Sequence, residues 1–386
     1  MRRVLLSLTL LAIALLSHLS FGQGYILVNN DSPTGNSVTG YKVTAAGTIT
    51  LFKSLDTGGI GLGQDFFTLP GVAIEANGHC LFVADPGTND IAVFEGPNFK
   101  QVTPNFTNSQ LSSSLYGIGL AVDPAGKFLY TAWSGSNNIA VLAIASDCSL
   151  SLAGSPTSLP DSVSSFTMAG GGRVLAVAYP DLSGVQAFSV SPKGVLTPLG
   201  SPLVFNQAIP ACSISGCFPT GQDSTDDGQY WVWGNPNDLG ASTLSATLTT
   251  AGFTNAALQN YSNTTLTYTA QAWFSPAAAK TGTGNLYLAA SGLGTSFPAG
   301  ILVTTFKQGT ITYDNDVVNM AAYVAGGVQT IGTTGTGSPL IQIASDSSGN
   351  NILYSYTVNG TALTPTDSLP MAEGSSFVIA AYPKRR

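Results

Sequence analysis

Leu120–Ile144, LAVDPAGKFLYTAWSGSNNIAVLAI, decides the fold. Ala121 and Val122 close an apolar run. Asp123-Pro124-Ala125-Gly126 is turn chemistry: proline presets φ, and glycine accepts the positive φ a tight turn needs. Phe128 to Trp133 is a second apolar and aromatic run. Gly135-Ser136-Asn137-Asn138 turns the chain again, and Ile139 to Ile144 forms a third run. The stretch therefore reads as strand, turn, strand, Asn-rich corner, strand. Such a unit cannot bury both faces alone, so copies are expected beside it.

The copies are present. Ala73–Phe94, AIEANGHCLFVADPGTNDIAVF, matches without a gap at an offset of 48, pairing Gly78 with Gly126 and Asn89 with Asn137. Phe166–Val190 matches at an offset of 46, pairing Leu129 with Leu175 and Ile139 with Val185. Weaker copies run through Asp226–Trp233, Asn285–Ala289 with Ile301–Phe306, and Ile341–Ala344 with Gly349–Ile352. The last residues of the second strands are Asn29, Ala84, Ala132, Ala178, Trp233, Ala289 and Ala344, at steps of 55, 48, 46, 55, 56 and 55. Seven units of about four short strands each is the spacing of propeller blades. The first unit lacks an innermost strand, and Ser376–Tyr382 is an orphan strand after the last unit. If the orphan completes the first blade, the ring closes and no sheet edge is left open. The expected fold is thus an all-β, seven-bladed propeller of four-stranded antiparallel blades, over residues 23–386.

Residues 1–22 read as a secretory signal peptide. Arg2 and Arg3 precede the apolar run Val4–Leu16, and Ser20 and Gly22 suit cleavage before Gln23. A secreted or periplasmic protein is expected, free of the membrane once the leader is removed. Charged residues make up 9% of the chain, against roughly 25% in an ordinary globular protein. Without the leader there are 11 basic and 20 acidic residues, a net charge of −9. That sign argues against nucleic acid and anionic membranes as partners. Four cysteines in a secreted chain suggest two disulfides. Cys212 and Cys217 could close a small loop, leaving Cys80 to pair with Cys148. In the repeat frame, Cys80 opens a second strand and Cys148 sits in the third-to-fourth turn of the next blade, on the same side of the ring.

DPAGKFLYTAWSGSNNIAVLAI, followed by LSLAGSP, resembles the lactonase-like seven-bladed propellers, which overlap the YVTN-repeat and surface-layer-type propellers. The resemblance is strong over Val72–Pro202 and thinner beyond. It implies a pocket near the central channel, on the face whose loops enter the innermost strands. It also implies His, Arg and Glu there, to handle an anionic substrate and its ring opening. This chain has few such residues. His79 is the one histidine past the leader, and Arg173 the one arginine between the leader and the C-terminal tail. Both share a repeat position with Lys127, in a first-to-second strand turn on the opposite face. A Ser-His-Asp triad has no histidine within reach.

The loops entering the innermost strands carry Gln64-Asp65, Tyr116, Asp161, Gln222-Asp223, Gln271 and Glu373. If the blades close, these converge on a polar, mildly acidic face. Asp65, Tyr116, Asp161, Asp223, Gln271 and Glu373 are the candidate ligand-binding set, suited to neutral ligands rather than phosphorylated ones. Asp223, Asp226 and Asp227, and separately Asp314 and Asp316, are acidic clusters read as solvated turn carboxylates rather than calcium ligands. No metal and no cofactor is expected. The four tryptophans read as packing between blades. The first expectation is a monomeric, non-catalytic binding module for an extracellular or periplasmic protein, glycan or small neutral molecule. The alternative is a lactone hydrolase of the 6-phosphogluconolactonase-like kind.

Overall fold

The computed structural model describes residues 23–63, 69–236, 240–262, 264, 266–291, 299–319, 324–330, 339–346, 348, 350–371 and 379–382. The leader, Asp65 and Glu373 lie outside them.

Seven antiparallel sheets form the ring. The third blade is the quoted stretch: Ile118–Val122, Phe128–Trp133 and Asn138–Ile144, with Leu150–Leu152 and Thr157–Ser158 both paired to its third strand. Asp123 closes the first turn by accepting from the backbone N–H of Lys127 at 2.6 Å and Phe128 at 2.7 Å. Gly126 sits at φ 68°, and its repeat mate Gly78 at φ 75°, where a side chain would be strained. The Asn-rich corner repeats in the backbone as well. Asn89, Asn137 and Ser183 occupy one repeat position and adopt φ of 58°, 50° and 52°.

The ring closes as expected. Ile379–Tyr382 is the innermost strand of the first blade, paired antiparallel with Gln23–Asn29: Tyr25 faces Tyr382, and Val28 faces Ile379. The physical cause is the apolar alternation of that strand. Ile379 and Ala381 are buried with Ile26, Val28, Ile341, Ile343 and Leu353, a cluster shared by the first and seventh blades.

Neighbouring blades pack through rows of large side chains. Trp133 shares a cluster with Phe82 and Leu120 of the second and third blades. Trp231 and Trp233 lie with Phe205 and Phe253, their rings stacked 6.2 Å apart. Trp273 packs against the cluster of the sixth and seventh blades. Both disulfides are formed, Cys80–Cys148 and Cys212–Cys217. The first ties the second blade to the third at the side expected from the repeat frame.

Among the described residues three short α-helices interrupt the all-β pattern: Phe205–Ala208, Pro210–Ser215 and Pro276–Thr281. The last replaces the tight first-to-second strand turn of the sixth blade. Proline opens it, the Ser275 side chain caps it by accepting from Ala278 N, and Gly282 ends it in a left-handed conformation. No helix among the described residues is long and apolar enough to cross a membrane.

Candidate functional site on the loop face

Each innermost strand begins on the face that carries the long blade-to-blade loops and the second-to-third strand turns. The other face carries the first-to-second and third-to-fourth turns. His79, Lys127 and Arg173 each stand immediately before a second strand, on that other face. There His79 Nε2 lies 3.1 Å from the Ser146 carbonyl and 3.9 Å from Glu95. Lys280 belongs to the helix on the same face. Lys53, on an outer strand, donates to the Asn98 carbonyl of a third-to-fourth turn.

The loop face is different. Asp31, Asp56, Asp85, Asp90, Asp161, Asp181 and Asp346 lie at its turns and strand ends, and no Lys, Arg or His among the described residues does. A small depression opens here where the first three blades meet. Asn29, Asp31, Leu69, Pro86, Tyr116 and Ile118 are among the residues lining it.

Tyr116 is mostly buried. Burial, reinforced by the carboxylates of Asp181 and Asp161, pushes its hydroxyl up to about 12. At neutral pH it is therefore a hydrogen-bond donor, not a phenolate. Asp161 is held in place, accepting from the N–H of Ser162 and of Leu182, each at 2.8 Å. Asp181 is exposed and faces Ser162 Oγ at 3.5 Å. Tyr116, Asp161 and Asp181 thus form one polar group across the second-to-third and third-to-fourth blade junctions.

The other candidates are placed differently. Asp223 lies within the innermost strand of the fifth blade, buried, and accepts from the Phe274 N–H of the sixth blade at 2.8 Å. Gln271 sits half-buried on the innermost strand of the sixth blade, bridged to Gly221. Asp227 accepts from Thr225 Oγ1 and from Gln229 N within its own turn. Asp314 and Asp316 lie on an outer strand and accept from Thr305 and Thr264 hydroxyls.

One feature of this face was not singled out from the sequence. Asp85 is fully buried, and its Oδ1 accepts from Asn36 Nδ2 and Thr57 Oγ1, each at 2.7 Å. Burial pushes its carboxyl up to about 8, against the lowering effect of those two bonds, and Asp90 adds to the rise. The repeat held a signal for it. Asp85 occupies the position that Trp133 and Tyr179 fill in the next two blades, so a carboxylate stands where the copies place a ring.

No family model and no curated protein matches this chain. Solved structures do match. A putative 6-phosphogluconolactonase from Bacteroides fragilis superposes with a TM-score of 0.68 at 14% identity, covering 93% of this chain and 98% of the other. A protein from Lactobacillus plantarum gives 0.66 at 17% identity, covering 93% and 99%. The periplasmic gluconolactonase of Pseudomonas aeruginosa gives 0.62 at 10%, again covering 93% and 99%. The fold is that of the lactonase-like seven-bladed propellers.

Proposed function

We propose that the loop face binds an uncharged, hydroxyl-rich small molecule, and that the chemistry performed on it, if the site is catalytic, is the opening of an unphosphorylated sugar lactone. The observation that carries this is the segregation of charge. The loop face presents aspartates without a cation among its described residues, so a phosphate or dicarboxylate would meet repulsion there. Sugar hydroxyls suit the same groups: carboxylates accept from them, and the Tyr116 hydroxyl donates to them.

The binding reading needs only this complementarity. The hydrolytic reading is favoured by the solved structures that share the fold, one of which is a gluconolactonase and so is named for a lactone without phosphate. In that reading Asp181, exposed beside Ser162, takes a proton from the attacking water and returns it to the ring oxygen as the acyl C–O bond of the lactone breaks, giving the hydroxy acid. Tyr116, kept protonated by burial, donates to the carbonyl oxygen as charge develops on it. Asp161, fixed by two backbone N–H groups, holds the substrate hydroxyls.

The purified chain is tested with glucono-1,5-lactone and with 6-phosphogluconolactone against their spontaneous rates, and by calorimetry with glucose and sorbitol. Saturable acceleration on the neutral lactone, lost in Asp181→Asn, supports the hydrolytic reading. Binding without acceleration supports the binding reading. Acceleration on the phosphorylated lactone alone refutes both.

A further inference from the structure

We infer that Asp85 and Asp90 share a single proton across the hairpin of the second blade, and that this proton latches the junction between the first and second blades at the wall of the loop-face depression. The two residues face each other in strand register, at the end of Cys80–Asp85 and the start of Asp90–Glu95. Both are buried, and Asp90 acts on Asp85 as a neighbouring carboxyl. Asp85 Oδ2 is a buried oxygen with no N–H or O–H donor among the described residues. A second carboxylate cannot supply one. A buried, unpaired charge of this kind costs several kcal/mol, whereas a proton held between the two carboxyls satisfies both.

The surrounding groups fit a proton better than a cation. Asn36 Oδ1 accepts from Ser32 N and Ser37 N, which turns its amide nitrogen toward Asp85. Asn105 Oδ1 accepts from Gln101, which likewise turns its nitrogen toward Asp90, at 2.8 Å. Amide nitrogens and the Thr57 hydroxyl therefore point inward, not a cage of oxygens. The backbone of Gly59 packs against the orphan oxygen: a β-carbon there would lie 2.6 Å from Asp85 Oδ2. Among the described residues Asp90 is the charged group that acts on Asp85; Asn36, Thr57 and Asn105, which bond to the pair, are neutral, and the first-blade turn also carries Asp31.

The latch joins three pieces of chain. Asn36 belongs to the first-blade turn that also holds Asp31, Thr57 begins the loop to the second blade, and Asp85 precedes Pro86. Asp31 and Pro86 both line the depression. Loss of the proton sets two buried carboxylates against each other at this wall.

The sign follows from linkage. Asp85 holds its proton up to about pH 8 in the folded protein and to roughly pH 4 in the unfolded chain. Between these values the folded state carries the extra proton, so stability falls as pH rises and levels off above 8. The slope approaches tenfold in the folding constant per pH unit.

Urea unfolding of the wild type and of Asp85→Asn from pH 5 to 9 tests this. The wild type is expected to show that extra slope between pH 5 and 8, absent from the variant. Infrared spectroscopy at pH 7 is expected to show a protonated-carboxyl stretch that Asp85→Asn removes. Asp90→Asn, which offers Asp85 an amide donor, should remove it too. Equal slopes, or no such band in the wild type, overturn the latch; the wild-type spectrum decides even if neither variant folds. Stabilisation by calcium that depends on Asp85 would also overturn it, giving the pair to a cation.

Discussion

Ring closure can be weakened at one side chain without changing the chain's length. Ile379 is 2% exposed and packs among residues of the first and seventh blades. Ile379→Ala removes three carbons from that cluster. At about 0.8 kcal/mol per buried carbon the transfer cost is about 2.4 kcal/mol, and the cavity left behind brings the expected loss to about 3 kcal/mol, within the range for such truncations. With about 2 cal/mol/K of unfolding entropy per residue, a chain of this size should melt about 4 °C lower. Val195→Ala is the control: Val195 lies in a third-to-fourth strand turn and is 58% exposed, so its loss should stay within about 0.5 kcal/mol. Calorimetry or circular dichroism on the two variants reads the difference. Removal of residues 376–386 should go further, leaving Gln23–Asn29 with an open edge and the apolar faces of Ile26 and Val28 uncovered, with loss of cooperative unfolding or of solubility. If Ile379→Ala melts like Val195→Ala, and the shortened chain like the intact one, the closing strand does not hold the ring together.

Three further outcomes are expected. Reducing or replacing Cys80–Cys148, which spans 68 residues, should cost about 4 kcal/mol by chain entropy, against about 2 kcal/mol for the short Cys212–Cys217 loop, measured by denaturant unfolding of the paired serine variants. Asp223→Ala should lower stability by about 1.5–3 kcal/mol, because it strands the buried Phe274 N–H at the junction of the fifth and sixth blades; its unfolding curve should move while ligand titrations on the loop face do not. Hydrolysis of 6-phosphogluconolactone should stay at its spontaneous rate, and replacing His79 or Arg173, on the far face, should not alter any activity found with a neutral lactone.

The repeat was legible because blade folding is local. A turn such as Asp123–Gly126 needs the same few residue types wherever it recurs, and each blade buries its strands in the same order, so equal spacing carries the architecture. The closing strand could be read from what the first unit lacked. Even the Cys80–Cys148 link followed from register, since two positions in adjacent copies must face the same side of the ring. The helix at Pro276–Thr281 was hidden because it stands in for one turn within an otherwise regular unit; its signals are a proline, a capping serine and a terminal glycine.

The site depended on contacts between blades, which repeat spacing does not encode. Asp223 and Asp161 look alike in sequence, each an aspartate in or near a loop that enters an innermost strand. The first accepts a buried N–H from the neighbouring blade, while the second stands half-exposed near Tyr116. Asp85 and Asp90 are five residues apart and read as an ordinary turn pair. Only the packing of other strands and loops around them removes water, and that burial raises Asp85 against the lowering effect of the hydrogen bonds from Asn36 and Thr57. Sequence alone determined the ring, its closure and the far-face position of His79, Lys127 and Arg173, because strand order and turn position set these. Tertiary structure decided which aspartates are buried, because desolvation depends on what packs against a side chain from elsewhere in the chain.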